Sequence, residues 1–255
     1  MAYCQASESA SGNEVQKLLS DLSRLYLLPG TLSLDAFQQH MADQAGAPVP
    51  LAAADGSARA LVIPFRKAPG SSDARHWTLL CEVANALQTA LGLPAPAVSI
   101  SGTDGFDLWL SFETAQPHTL LQELLMLLQA AYCPELQLTP QQVGTAAALP
   151  PCMDAATGKW SAFIHPDLGA SFADEPWLEV APPMAGQSAL LQHCGSISPA
   201  ALREALQSLR KGDAPPTPLQ AVGAPGLLLA DATLEDIVQH LHSKNIEPTF
   251  RHLLR

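Results

Sequence analysis

Val15, Leu18, Leu19, Leu22 and Leu25 recur at three- and four-residue spacing, the stripe of an amphipathic helix beginning near Asn13. The dozen residues before it are small and polar and are expected to fray. Pro29 and Gly30 stop the helix, and Ser33 reads as the N-cap of a second short helix through LDAFQQHMAD, ended by Gly46 and Pro48. After a Pro/Gly/Ala connection at 46–58, ALVIPF predicts a short buried strand. Asp73 can cap a helix whose stripe is Trp77, Leu80, Val83, Leu87 and Leu91, closed by Gly92 and Pro94. SISGTDGFDLWLSF, at 99–112, then predicts a turn feeding a strand in which Phe106, Leu108, Leu110 and Phe112 share one face. Asp107 and Trp109 take the other. The order predicted is strand, crossover helix, second strand, with Arg66 and Lys67 emerging at the end of the first.

Thr119 and Gln122 form a capping-box pattern at the head of HTLLQELLMLLQAAY, a helix so rich in leucine that both flanks should be covered. From 135 to about 195 proline-punctuated segments predict irregular or β-rich structure, with SAFI the clearest strand. Ser198 followed by Pro199 opens a helix through AALREALQSLR. A linker, KGDAPPTPLQAVGAPG, precedes a final helix at 233–245 with Thr233 and Asp236 as a second capping box. The expected organisation is an N-terminal helical cap over 1–45, an α/β core over 46–197, and C-terminal helices with a Pro-rich linker over 198–255.

With 255 residues and 47% hydrophobic content, the chain can bury a real core. Five widely spaced cysteines without a C-x-x-C pair predict reduced, mostly buried thiols. No apolar run of membrane-spanning length is present, and the N-terminal residues lack the basic start and apolar centre of a secretory signal, so a soluble, cytoplasmic protein without a membrane partner is expected. Formal net charge is −11, from 13 basic and 24 acidic residues, which excludes a generally basic, nucleic-acid-coating surface. Any single-stranded nucleic-acid contact must be local.

Three stretches, SGTDGFDLW at 101–109, LTPQQVGTAAALPP at 138–151 and GKWSAFIHPDLGASFADEPWL at 158–178, occur in an order that resembles the archaeo-eukaryotic primase superfamily. Within it the chain is similar to the bacterial primase-polymerase domains of TOTE conflict systems, and the likeness covers roughly residues 58–195. The resemblance implies an α+β fold with a primase-like core, built on an RRM-like sheet and flanked by N-terminal and C-terminal helices. It also implies an ancestral metal-dependent nucleotidyl transfer. Active members carry an Asp-x-Asp or Asp-x-Glu pair on the strand before the crossover helix, where this chain reads ALVIPFRKA. They carry a histidine where this chain has Asp107, and a third acid where it has Val143. Two-metal chemistry needs clustered carboxylates, which Ile63 and Phe65 cannot supply.

The resemblance therefore implies a catalytically degenerate, nucleic-acid-associated accessory or interaction subunit, in a mobile-element or defence setting, with no catalytic residue and no cofactor. One alternative is an active nucleotidyltransferase using Mg²⁺ or Mn²⁺ held by relocated acids such as Asp73, Asp104, Asp107 or Asp154. Another is a protein-binding scaffold without nucleic-acid contact. The candidate cleft residues are Arg66, Lys67, Ser101, Gly102, Asp104, Gly105 and Asp107. Asp107 either pairs with Arg66 or Lys67 or is solvated, and Asp104 is expected to shape the turn with its own side chain. Gly102 and Gly105 suit either a tight turn or a phosphate's approach to the backbone. His165 and Asp167 read as turn residues, or as metal ligands if Asp174 or Glu175 folds back. His240 and His242 point apart on the last helix. That helix, through Leu234, Ile237, Val238 and Leu241, is the candidate protein-binding element, and Arg251, His252 and Arg255 form a basic tail.

Overall fold

The computed structural model describes residues 2–42, 48–68, 70, 73–139, 143 and 146–212. The helix expected at 233–245, His240 and His242, and the basic tail lie outside the described residues. Contacts divide the chain into one unit at Met1–Thr217 and a second at Pro218–Arg255. The account below is of the first.

The fold is mixed α+β. Its elements are α1 (Ala2–Leu25), α2 (Leu34–Ala42), β1 (Ser57–Arg66), α3 (Arg75–Thr89), β2 (Ala97–Ile100), β3 (Gly105–Pro117), α4 (His118–Tyr132), β4 (Cys152–Met153), β5 (Trp160–Ile164), a 3₁₀ segment (Pro166–Phe172), α5 (Met184–Gln192) and α6 (Pro199–Lys211). The strands form one sheet in the order β1-β3-β2-β5-β4, and every pairing is antiparallel. Since β1 and β2 both run against β3, they are parallel to each other with β3 between them. The crossover through α3 leads into β2 and skips a strand, a split β-α-β arrangement, and the predicted second strand at 99–112 follows as β3, beside β1.

Side-chain alternation divides the sheet residues between two cores. Ile63, Phe65, Phe106, Leu108, Leu110 and Phe112 face α3, α4 and α6, which contribute Leu80, Val83, Leu124, Leu128, Leu202 and Leu206. On the opposite face Ala60, Ala97, Trp109 and Phe163 meet Leu18, Leu22 and Leu25 of α1, Phe37 of α2 and Leu191 of α5. Trp109 is the centre of this second core. Its ring lies 5.2 Å from Tyr26 and 5.7 Å from Phe163, and its indole N–H donates to Ser99 at 2.9 Å. α6 lies within this first unit, its buried Leu202, Ala205, Leu206 and Leu209 held in the core.

Several local signals act as predicted. Ser33 Oγ accepts the Ala36 N–H at 3.1 Å, and Ser198 Oγ accepts that of Ala201 at 3.2 Å, with Gly212 closing α6 in the left-handed region at φ 67°. Others do not. α1 extends back to Ala2, because the small polar residues include neither proline nor a run of glycine to stop propagation. The Thr119 capping box does not form: β3 runs directly into α4, Pro117 holds the cap position, and Thr119 is already helical. α5 was not legible, because MAGQSALLQ mixes small and polar residues and follows two prolines. β2 was absorbed into the turn, although Ala97–Ile100 form a hairpin with β3.

Candidate functional site

α1, α2 and α5 cover the Trp109 face of the sheet only in part, and the end of it carrying Arg66 and Asp107 opens into a cavity of about 370 Å³. Register explains who faces it. Pro64 stands opposite Asp107, and Arg66 opposite Gly105, so Val62, Pro64 and Arg66 point to the same side as Asp107 and Trp109. Ile63 and Phe65, expected at the cleft, are instead 1% and 0% exposed in the core beneath α3 and α4. This is a correction of face: the positions that do line the cleft are Val62, Pro64 and Arg66, and they carry no carboxylate either. Val143 is buried in the helix-covered core.

Arg66 is held by three acceptors. Its Nη2 donates to Asp107 Oδ1 at 2.6 Å, its Nη1 to the Phe106 carbonyl at 2.6 Å, and its Nε lies 3.2 Å from Asp104 Oδ1. The Asp107 side chain is only 15% exposed. Burial pushes its carboxyl above the ordinary range, Arg66 pulls the other way, and Asp104 adds to the rise. Of the two pairings open to Asp107, the structure has Arg66. Lys67, one residue on, bonds Asp174 at 2.8 Å instead.

The turn joining β2 to β3 is organised by Ser101. Its Oγ accepts the main-chain N–H groups of Thr103, Asp104 and Gly105 at 3.2, 3.1 and 3.0 Å. Asp104, expected to shape the turn with its own side chain, accepts the Thr103 hydroxyl and turns to Arg66. The Gly102 N–H donates to the Pro176 carbonyl at 2.9 Å. The main-chain N–H groups of Gly102, Thr103, Asp104 and Gly105 are therefore bonded inside the protein. Each glycine has a structural reason. Gly102 sits at φ 82°, and a Cβ on Gly105 would come within 2.1 Å of the Phe65 carbonyl oxygen on β1.

The other acids do not gather here. Asp73 accepts the Arg75 N–H at 3.3 Å at the head of α3. Asp154 does line the cavity, where its Oδ1 accepts from Ala156 N–H, Thr157 N–H and the Thr157 hydroxyl. Those Thr157 bonds hold it below the ordinary carboxylate range. His165 lies 3.4 Å from Asp167 within its own turn, and Asp174 is engaged by Lys67. Among the described residues no three His, Cys, Asp or Glu side chains converge as a metal site, and no helix is long and apolar enough to cross a membrane. Cys133 and Cys152 are buried, and burial raises the Cys133 thiol to about 12, leaving it an inert packing group.

The cavity also contains residues the sequence did not single out. Pro64 and Val62 follow from stepping back two and four residues from Arg66. Ala146, Ala148 and Pro150 arrive from the 138–151 stretch that carried the resemblance, although no spacing rule selects them within it. No protein-family model matches the chain, and no curated protein matches it significantly.

Proposed function

We propose that this chain is a primase-like module without nucleotidyl-transfer chemistry, serving as an accessory or interaction subunit. The observation that carries the reading is the Arg66 guanidinium, lying between Asp104 and Asp107 on the open face of the sheet. Two divalent ions in that position would need clustered oxygen donors. The residues present do not fit them: β1 offers Val62 and Pro64, and Asp107 is taken by an internal cation. The split β-α-β order supports the RRM-like part of the proposal. Two carboxylates, Asp107 and Asp154, line the cavity and Asp104 flanks it, which favours a protein partner over a nucleic-acid strand at this cleft.

The test is primer extension and primer synthesis by the purified full chain with Mg²⁺ or Mn²⁺ and labelled nucleotides, on primed and unprimed templates. No template-dependent product is expected. Extension that disappears in Asp107→Ala would establish the active alternative. A salt titration of single-stranded DNA affinity separates the two interaction readings, since binding at low salt that fades as salt rises marks a local phosphate contact.

A further inference from the structure

We propose that the cavity beside Arg66 receives a lysine side chain from a basic segment of a partner protein. This rests on the non-catalytic reading above and names the chemistry of the partner. Three properties of the cavity select that ligand. Its walls mix apolar side chains, Leu51, Val62, Pro64, Ala148 and Pro150 among them, with polar groups that include Asp154 and the Arg66-paired Asp107. A lysine matches this division, with an aliphatic stem that lies along apolar surface and an ammonium head that seeks carboxylates. At about 370 Å³ the space is many times the roughly 30 Å³ share of a single water, so a four-carbon chain fits.

Charge decides the sign of the ligand. One guanidinium faces two carboxylates lining the cavity, and Asp104 lies on the far flank of the same guanidinium. The excess is negative. The turn offers an anion little, because the N–H groups of Gly102, Thr103, Asp104 and Gly105 are bonded to the Pro176 carbonyl and to Ser101 Oγ, and Arg66 already gives three of its five N–H groups to Phe106, Asp107 and Asp104. A bare divalent cation has no cluster of three ligands among the described residues.

The experiment is a ¹H–¹⁵N titration of the full chain, reading the Trp109 indole and the amides of Ser101–Gly105. The probes are N-acetyl-lysine methylamide, its uncharged counterpart N-acetyl-norleucine methylamide, and dATP with Mg²⁺. The lysine probe should shift these signals saturably. The norleucine probe should bind about tenfold more weakly, and Asp154→Asn should weaken the lysine probe about tenfold, the loss expected for one hydrogen bond to a charged group. Added salt should weaken lysine binding to the unaltered protein and leave norleucine unchanged, which keeps the test decisive should the variant fail to fold. No response to lysine, equal response to norleucine, or indifference to both salt and Asp154→Asn would overturn the proposal. Shifts with Mg–dATP accompanied by primer extension would overturn the non-catalytic reading itself, whereas a silent lysine titration without nucleotide response would remove only the lysine site.

Discussion

Replacing Arg66 by methionine tests the electrostatics of the cleft. The substitution keeps most of the aliphatic stem and removes the cation that pairs with Asp107. Breaking a buried ion pair by deleting one partner costs about 3–5 kcal/mol, whereas a surface pair is worth about 0–1 kcal/mol. Here the Asp107 side chain is 15% exposed and that of Arg66 38%, so the loss should fall between those limits, at about 2 kcal/mol. For a unit of this size that lowers Tm by roughly 4–8 °C. The sign with pH follows from burial, which already raises the Asp107 carboxyl in the fold above its ordinary value of 3.8. A raised carboxyl favours the fold at low pH and loses that contribution as pH rises through the folded value. Without Arg66 the value moves further up, so Arg66→Met should be most destabilising at pH 8 and progressively less so toward pH 5. Adding Asp107→Asn should recover about 1 kcal/mol or more at pH 8, because both charges are then gone. Urea unfolding followed by tryptophan fluorescence at the two pH values measures all of this. Equal losses at both pH values, or no recovery in the double variant, would refute the reasoning.

Gly105→Ala should cost at least ~3 kcal/mol or prevent folding, since its Cβ would lie 2.1 Å from the Phe65 carbonyl oxygen and only the β1 backbone could move; thermal melting and soluble yield report it. Ser101→Ala leaves three turn N–H groups without their acceptor and should cost about 2 kcal/mol by urea titration, partly offset by water at this exposed turn. His76 is 5% exposed, and neither ring nitrogen has a hydrogen-bond partner among the described residues. Burial first, and Lys67 second, hold its imidazole below the ordinary value of 6.5 against the opposing Ala173 main chain, too poorly aligned for a hydrogen bond, and the Asp73 and Asp174 carboxylates. Stability should therefore be lost as pH falls below 6.5, and His76→Leu should flatten that part of the pH–stability curve.

How far the sequence could be read depended on whether a local rule or a distant neighbour decided the outcome. The α3 stripe from Trp77 to Leu87 and the Ser198 cap are set within a few residues and formed as read, while Leu91 falls past the end of the helix. The face assignment of β3 was legible for the same reason, since period-two alternation is local, and it led to the Asp107–Arg66 pair. Which residues of β1 shared that face was misjudged. The sequence places Ile63 and Phe65 at the cleft, whereas register with Asp107 selects Pro64 and its neighbours two away. β2 was lost because four residues, all buried, show no alternation. α5 gains its place from contacts rather than propensity: Gln187 bridges the main chain of Phe163 through both its amide oxygen and its amide nitrogen, and Ser188 reaches Asp21 of α1.

β3 is a party wall between two separate apolar interiors, with odd and even positions owned by different tenants. Exchanging one residue for another there disturbs a single side. Losing or gaining a residue between Phe106 and Phe112 would evict tenants from both sides at once, driving an aspartate in among leucines and pushing aromatic rings into the wrong interior. Length along this strand should thus be far less negotiable than identity.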